Sequence, residues 1–406
     1  MVIDVVATKD RKDLEFWWPC DSDSSFKDSK MHYFITHLLG HEAEGSILSK
    51  LKLKGWASAL SAGLGLGTRH SDWVCVIIQL TDEGSNYRSE ICRIMFGYLS
   101  LLRRGIPLYL FEEQSRIADL GFQFASKRSP YDQAEIIARR LLLWPLEHVN
   151  DGPCLYFGWN NDDYVRLLKC LTIDNVNIMY ISNAISVGDT FETEKWYGTR
   201  YSYRYLSATE LSVWRDGCDE GLAFPSSNPF IPMDFSPRGI PWAKNSNDDN
   251  QSDAVMTYPK LIYESSAYDL WHKYDYQLWC VPKTNVFVAI ENSYGTQSAS
   301  SFVAMKLFAL AFNESFINTS YYASCAGSSS FISASSKGLS FTFSGYSDRL
   351  GHLILTIFQS LKSFVITDEC FNVIKDRYRF GLRRMLTGSP YITTVQISTY
   401  LLQTPS

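Results

Sequence analysis

The stretch from Ser236 to Lys260 constrains the architecture more than any other part of the chain. It holds Pro237, Gly239 and Pro241, then an unbroken polar run from Asn245 to Asp253 with almost nothing to bury. Such a run reads as a connection between units that each build their own core. The 406 residues are enough for two or three domains at roughly 150 residues each. The expected division is therefore 1–235, a linker at 236–260, and 261–406. Both flanks can fill a core, because 46% of the chain is hydrophobic and 15% aromatic against 20% charged.

Each flank mixes the two periodicities. Asp72 to Leu80 and Val176 to Ile181 are short apolar runs that suit strands. Between them, Asn86–Arg104, Leu108–Ser126, Asp132–Leu143 and Asp162–Leu171 space their apolar residues as helices do. In the first of these, Ile91, Ile94, Met95, Tyr98 and Leu102 form one stripe. Beyond the linker, strand patterns at Asn285–Glu291 and Leu339–Ser344 alternate with helical patterns at Ala299–Asn313, Ser347–Ser363 and Asp368–Leu386. The fold class that follows is α+β: two αβ sandwiches, each a sheet covered by helices on one side.

A net charge of −5 excludes a generally basic nucleic-acid binder, and no apolar run reaches the roughly 18 residues of a membrane span. The nine cysteines stand singly and in odd number, which suits reduced thiols and a cytoplasmic location.

Candidate chemistry concentrates in His37, Gly40, His41 and Glu42. Two histidines at i and i+4 share a helical face, as a zinc pair must. The zinc-peptidase motifs also need a glutamate between the histidines to activate water. Leu38 and Gly40 occupy those two places, and Glu42 falls outside the bracket, about 100° round a helix from His41. The segment is therefore not read as a zinc site. Gly63 to Thr68 lacks the Lys-Ser/Thr of a phosphate loop and reads as a turn before the strand at Trp73. Ser328 to Ser330 has no partner for nucleophilic use. Glu112-Glu113 and Asp368-Glu369 suit helix starts, and Arg103-Arg104 and Arg383-Arg384 suit helix ends. No spacing yields a catalytic set.

Longer segments go further. His37 to Trp56, Glu194 to Thr199, Asn228 to Phe235, Tyr258 to Ile262, Leu270 to Asp275, Tyr322 to Gly327 and Ser344 to Asp348 resemble, in order, the insulin-degrading enzyme and nardilysin group. That group belongs to the insulinase (pitrilysin) family of zinc metallopeptidases. The resemblance implies parts of the second and third of four related αβ domains enclosing a peptide chamber, the second N-terminally truncated and the third incomplete at its C-terminus. Zinc in the family belongs to a His-x-x-Glu-His site in the first domain, and this chain has no such motif. No metal is therefore expected on this chain, which alone should not cleave peptides. Its implied partners are peptides and the missing catalytic domain or a catalytic subunit. A stand-alone inactive peptide-binding module is the alternative.

The resemblance also implies a peptide-anchoring exosite. The segment matching His37, Gly40 and Glu42 would receive a substrate N-terminus, and the edge strand matching Leu60, Ser61 and Ala62 would take its backbone. Glu42 can pair with an α-ammonium, and a strand edge can add a peptide by main-chain hydrogen bonds. Ala62 stands where the group tends to have glycine, and its methyl group is expected to weaken anchoring. Limited proteolysis tests the division of the chain: the first cut should fall within 236–260, and a first cut elsewhere would contradict that boundary.

Overall fold

The computed structural model describes the chain apart from residues 22–27, 69–70, 218–219, 237–257, 274–280, 336, 387–389 and 403–406. Most of the expected linker lies outside the described residues. The chain forms two compact units, Met1–Pro229 and Phe230–Ser406. Residues 230–235 pack into the second unit, ahead of the division expected at 235/236. Asp348 accepts the Met233 N–H at 2.9 Å, and the Phe235 and Tyr346 rings lie 6.1 Å apart. Two of the segments that carry the family resemblance thus meet in space. No helix among the described residues is long and apolar enough to cross a membrane.

Unit 1 is built on a seven-stranded sheet in the order β3-β4-β2-β5-β1-β7-β6. The strands are β1 (Val2–Val6), β2 (Lys12–Asp21), β3 (Ala57–Gly67), β4 (Ser71–Leu80), β5 (Asn177–Ser182), β6 (Glu192–Thr193) and β7 (Arg200–Arg204). Its helices are α1 (Met31–Leu39), α2 (Ile47–Leu53), α3 (Arg88–Arg103), α4 (Leu108–Gln123), α5 (Pro130–Arg140), α6 (Asn161–Cys170) and α7 (Ala208–Asp216). β2 runs antiparallel to β4 on one side and to β5 on the other. Its alternation puts Leu14, Phe16 and Trp18 on one face, all at most 2% exposed, in a core with Phe34, Ile78, Met95 and Ile178. On the other face, Arg11 pairs with Asp13 and Glu15, and Trp17 donates its indole N–H to Glu15 at 2.8 Å. Pro19 is tolerated in this central strand because pairing with β5 ends at Trp17; its carbonyl accepts from the Asn175 side chain instead.

Local chemistry sets the element ends. Asn160 caps α6 by accepting the Asp163 N–H, and Ser207 with Glu210 forms a reciprocal capping box on α7. Arg204 at the end of β7 grips Glu210 with two hydrogen bonds and holds its carboxyl down at about 2. Glu194 accepts the N–H groups of Trp196 and Tyr197, making the resembling segment Glu194–Thr199 the turn between β6 and β7. α1 starts at Lys30, the one non-glycine residue described in the left-handed region, with φ 52°. The Lys30 ammonium donates to the Leu155 carbonyl and lies 5.1 Å from the Phe157 ring centre and 5.4 Å from that of Trp144. Burial lowers its pKa to about 8.

Unit 2 contains the hairpin β8 (Lys260–Glu264) and β9 (Asp269–His272) and a three-stranded sheet. That sheet is ordered β10-β12-β11, from β10 (Lys283–Glu291), β11 (Ser329–Ser335) and β12 (Gly338–Tyr346). Its helices are the short α8 (Tyr294–Gln297), then α9 (Ala299–Ser315), α10 (Ile317–Cys325), α11 (Ser347–Ser363), α12 (Asp368–Leu386) and α13 (Pro390–Leu402). Phe341 and Phe343 of β12 and Leu353 and Ile357 of α11 are almost fully buried. The sequence of elements from β10 onward follows that from β2 onward: a strand, helices, an antiparallel pair, then further helices. This is the α+β architecture of two related units.

The fully buried Phe16 ring stacks 5.8 Å from Trp18 and lies edge-on 6.3 Å from Phe96. Phe16→Ala should destabilise unit 1 by about 3–5 kcal/mol. Native-state hydrogen exchange checks this through lost protection of amides in β2, β4 and β5.

Candidate functional site

The two segments of the implied exosite, at His37–Glu42 and Leu60–Ala62, both lie in unit 1. α1 buries Met31, Phe34, Ile35, Leu38 and Leu39 and ends where Gly40 donates its N–H to Thr36 at 2.9 Å. The chain then runs through His41, Glu42 and Ala43 to Ser46, whose hydroxyl caps α2 by accepting the Ser49 N–H. Among the described residues β3 is the terminal strand of the sheet: Leu60, Ser61 and Ala62 pair with Ile78, Ile77 and Val76 of β4, and no described strand lies on its other side. A side chain at Gly40 would find the Ala62 methyl group and backbone N both at 3.4 Å and the Thr36 carbonyl at 3.2 Å. The helix end and the strand therefore approach closely at this point, with room for about one carbon atom between them.

Leu60 is buried and Ser61 exposed, so the two faces of β3 differ. The Ala62 methyl group is turned toward Gly40, out of the plane in which a peptide would add to the strand edge. Gly63 to Gly67, expected as a turn, instead continues β3; this corrects the sequence reading. Trp17 of β2 is the physical reason: a Cβ at Gly65 would stand 2.2 Å from its ring, so the glycine lets the indole lie over the strand. The alternation of Leu60 and Leu64 with small residues was the signal for a strand.

His37 and His41 lie with ring centres 5.5 Å apart in a T-shaped arrangement. His41 is 4% exposed, and its Nδ1 accepts the Ala43 N–H at 3.2 Å. Burial lowers the His37 pKa to about 4, and burial together with the His37 charge lowers that of His41 to about 3. These residues do not fit a zinc centre: one His41 nitrogen is committed to the backbone, and Glu42 turns instead toward Lys52. No cluster of three or more His, Cys, Asp or Glu side chains suited to a metal occurs among the described residues.

The Glu42 carboxylate lies 4.0 Å from the Lys52 ammonium, both about one-third exposed. A pair this long and wet stabilises by at most about 1 kcal/mol, so an incoming ammonium can replace Lys52 at little cost. Lys52 escaped the sequence reading because α2 brings it back only through its own helical turn. The arrangement offers an exchangeable carboxylate in the segment that follows α1.

Both histidines are neutral when folded and protonate first when unfolded, so stability is full above pH 6.5 and declines as the pH falls toward about 3. His41→Asn, which keeps an acceptor for Ala43, should flatten that decline. Thermal melts of the two proteins between pH 7 and pH 4 check it, the variant losing less over the interval.

Comparison with known proteins bears on the family and the fold. The family model for the middle or third domain of peptidase M16 matches residues 122–406. A nardilysin-like protein of Arabidopsis thaliana is 30% identical over 384 residues, covering 93% of this chain and 37% of that relative. The insulin-degrading enzyme of Homo sapiens is 27% identical over 389 residues, covering 95% of this chain and 37% of the enzyme. The crystal structure of pitrilysin shares the fold with a TM-score of 0.76 at 24% identity, over 100% of this chain and 42% of pitrilysin. The chain thus spans about two-fifths of the length of the proteins it matches.

Proposed function

The chain belongs to the peptidase M16 family of zinc metallopeptidases and corresponds to the middle part of its insulinase-type members, and we propose that it serves them as chamber wall and peptide anchor rather than as hydrolytic centre. Zinc, its general base and the groups that stabilise the transition state come in this reading from another domain or a catalytic subunit. What supports the anchoring role is the meeting of Gly40 and Ala62. In this reading a peptide presents its α-ammonium to the Glu42 carboxylate, two residues on from Gly40, while its backbone pairs with Leu60, Ser61 and Ala62. The two histidines add no positive charge here at neutral pH, which leaves Lys52 as the competitor for Glu42.

Fluorescence anisotropy with a peptide labelled at its C-terminus tests the reading. Glu42→Ala should weaken binding about tenfold, corresponding to about 1.4 kcal/mol. N-terminal acetylation should weaken it by a similar factor, and the two together should cost no more than either alone. Lys52→Met, by releasing Glu42, should strengthen binding. Equal affinity for acetylated and free peptides would overturn the anchoring role.

A further inference from the structure

A peptide α-ammonium that takes up the Glu42 carboxylate displaces the Lys52 ammonium, which lies 4.0 Å from it. Among the described residues Glu42 is the one carboxylate partner of Lys52, so the exchange removes the whole of that pairing. Lys52 is held in place by its helix: it stands in the last turn of α2, which is fastened to the core through Ile47, Leu48 and Leu51. The lysines two residues to either side are engaged elsewhere. The Lys50 ammonium donates to the Glu220 carbonyl, and that of Lys54 lies 4.7 Å from the centre of the Trp56 ring.

The count of charges then decides which peptides fit. Glu42 and Lys52 balance one another before binding, and the two neighbouring histidines are neutral at neutral pH. With a peptide N-terminus in place, two ammonium groups share one carboxylate. A second carboxylate brought by the peptide cancels the excess, and a lysine or arginine in its place doubles it. An extended chain advances about 3.3 Å per residue, and charges in water are screened over about 8 Å at physiological salt. The effect therefore falls on the first three residues of the peptide.

We propose, resting on the anchoring role of Glu42, that Lys52 is a specificity-determining residue: it makes the site select peptides with Asp or Glu among their first three residues and disfavour Lys or Arg there. The peptide carboxylate takes the place that Glu42 gives up, so each ammonium ends with a partner. Glu42 and Lys52 are both about one-third exposed, which sets the preference at a few-fold in affinity.

Fluorescence anisotropy with C-terminally labelled peptides that differ only in carrying Glu, Gln or Lys at position 1, 2 or 3 tests this. At the best-placed position the Glu peptide should bind about three- to fivefold more tightly than the Gln peptide, and the Lys peptide more weakly than either. Lys52→Met should bring the Glu and Gln affinities together, so the gain expected from that change with uncharged peptides disappears for the Glu peptide. Lys52→Arg should preserve the order, and Lys52→Glu should invert it in favour of Lys. Equal affinities for Glu and Gln at all three positions, or a preference that survives Lys52→Met, would overturn the role of Lys52 while sensitivity to N-terminal acetylation left the anchor standing. Equal binding of acetylated and free peptides would overturn the anchor and the preference together.

Discussion

The structure of unit 1 depends on β2 having a neighbour on both sides. β4 and β5 satisfy its backbone from either edge, and that double pairing lets Leu14, Phe16 and Trp18 reach full burial beneath the helices. β4 in turn carries β3, so the strand on which the candidate site rests hangs from the same central ladder. β10 occupies the same place in unit 2 with one neighbour described, and its side chains are correspondingly more exposed.

Electrostatics at the site follow from packing rather than from a metal. Removing two imidazoles from water keeps them neutral, and one is further fixed by a backbone N–H. Near the helix end Glu42 and Lys52 then form a loose pair. A weak internal partner is what an exchangeable binding group requires, since a tight one would have to be broken by every ligand.

Much of this was legible in the residues themselves. α11 and α12 fall on Ser347–Ser363 and Asp368–Leu386, where an apolar stripe with polar flanks leaves little choice of period. The glycine-rich half of β3 was misread because its spacing resembles a turn, and only Trp17, far away in sequence, explains it. β6 and β7 escaped notice because they are short and exposed, and a two-residue strand has no periodicity to detect. The individual residues of the site could be named by resemblance, but the contact of Gly40 with Ala62 could not. It arises from the sheet carrying β3 back under the end of α1, a consequence of pairing that no local pattern encodes.

That contact has an evolutionary consequence. With 3.4 Å between a would-be Cβ at position 40 and the methyl group at position 62, the two sites share one small allotment of volume. A lineage that enlarges one of them must keep the other minimal, or the helix lifts from the strand and the groove between them widens. Positions 40 and 62 should therefore drift as a coupled pair, with bulk traded between them and never gained at both.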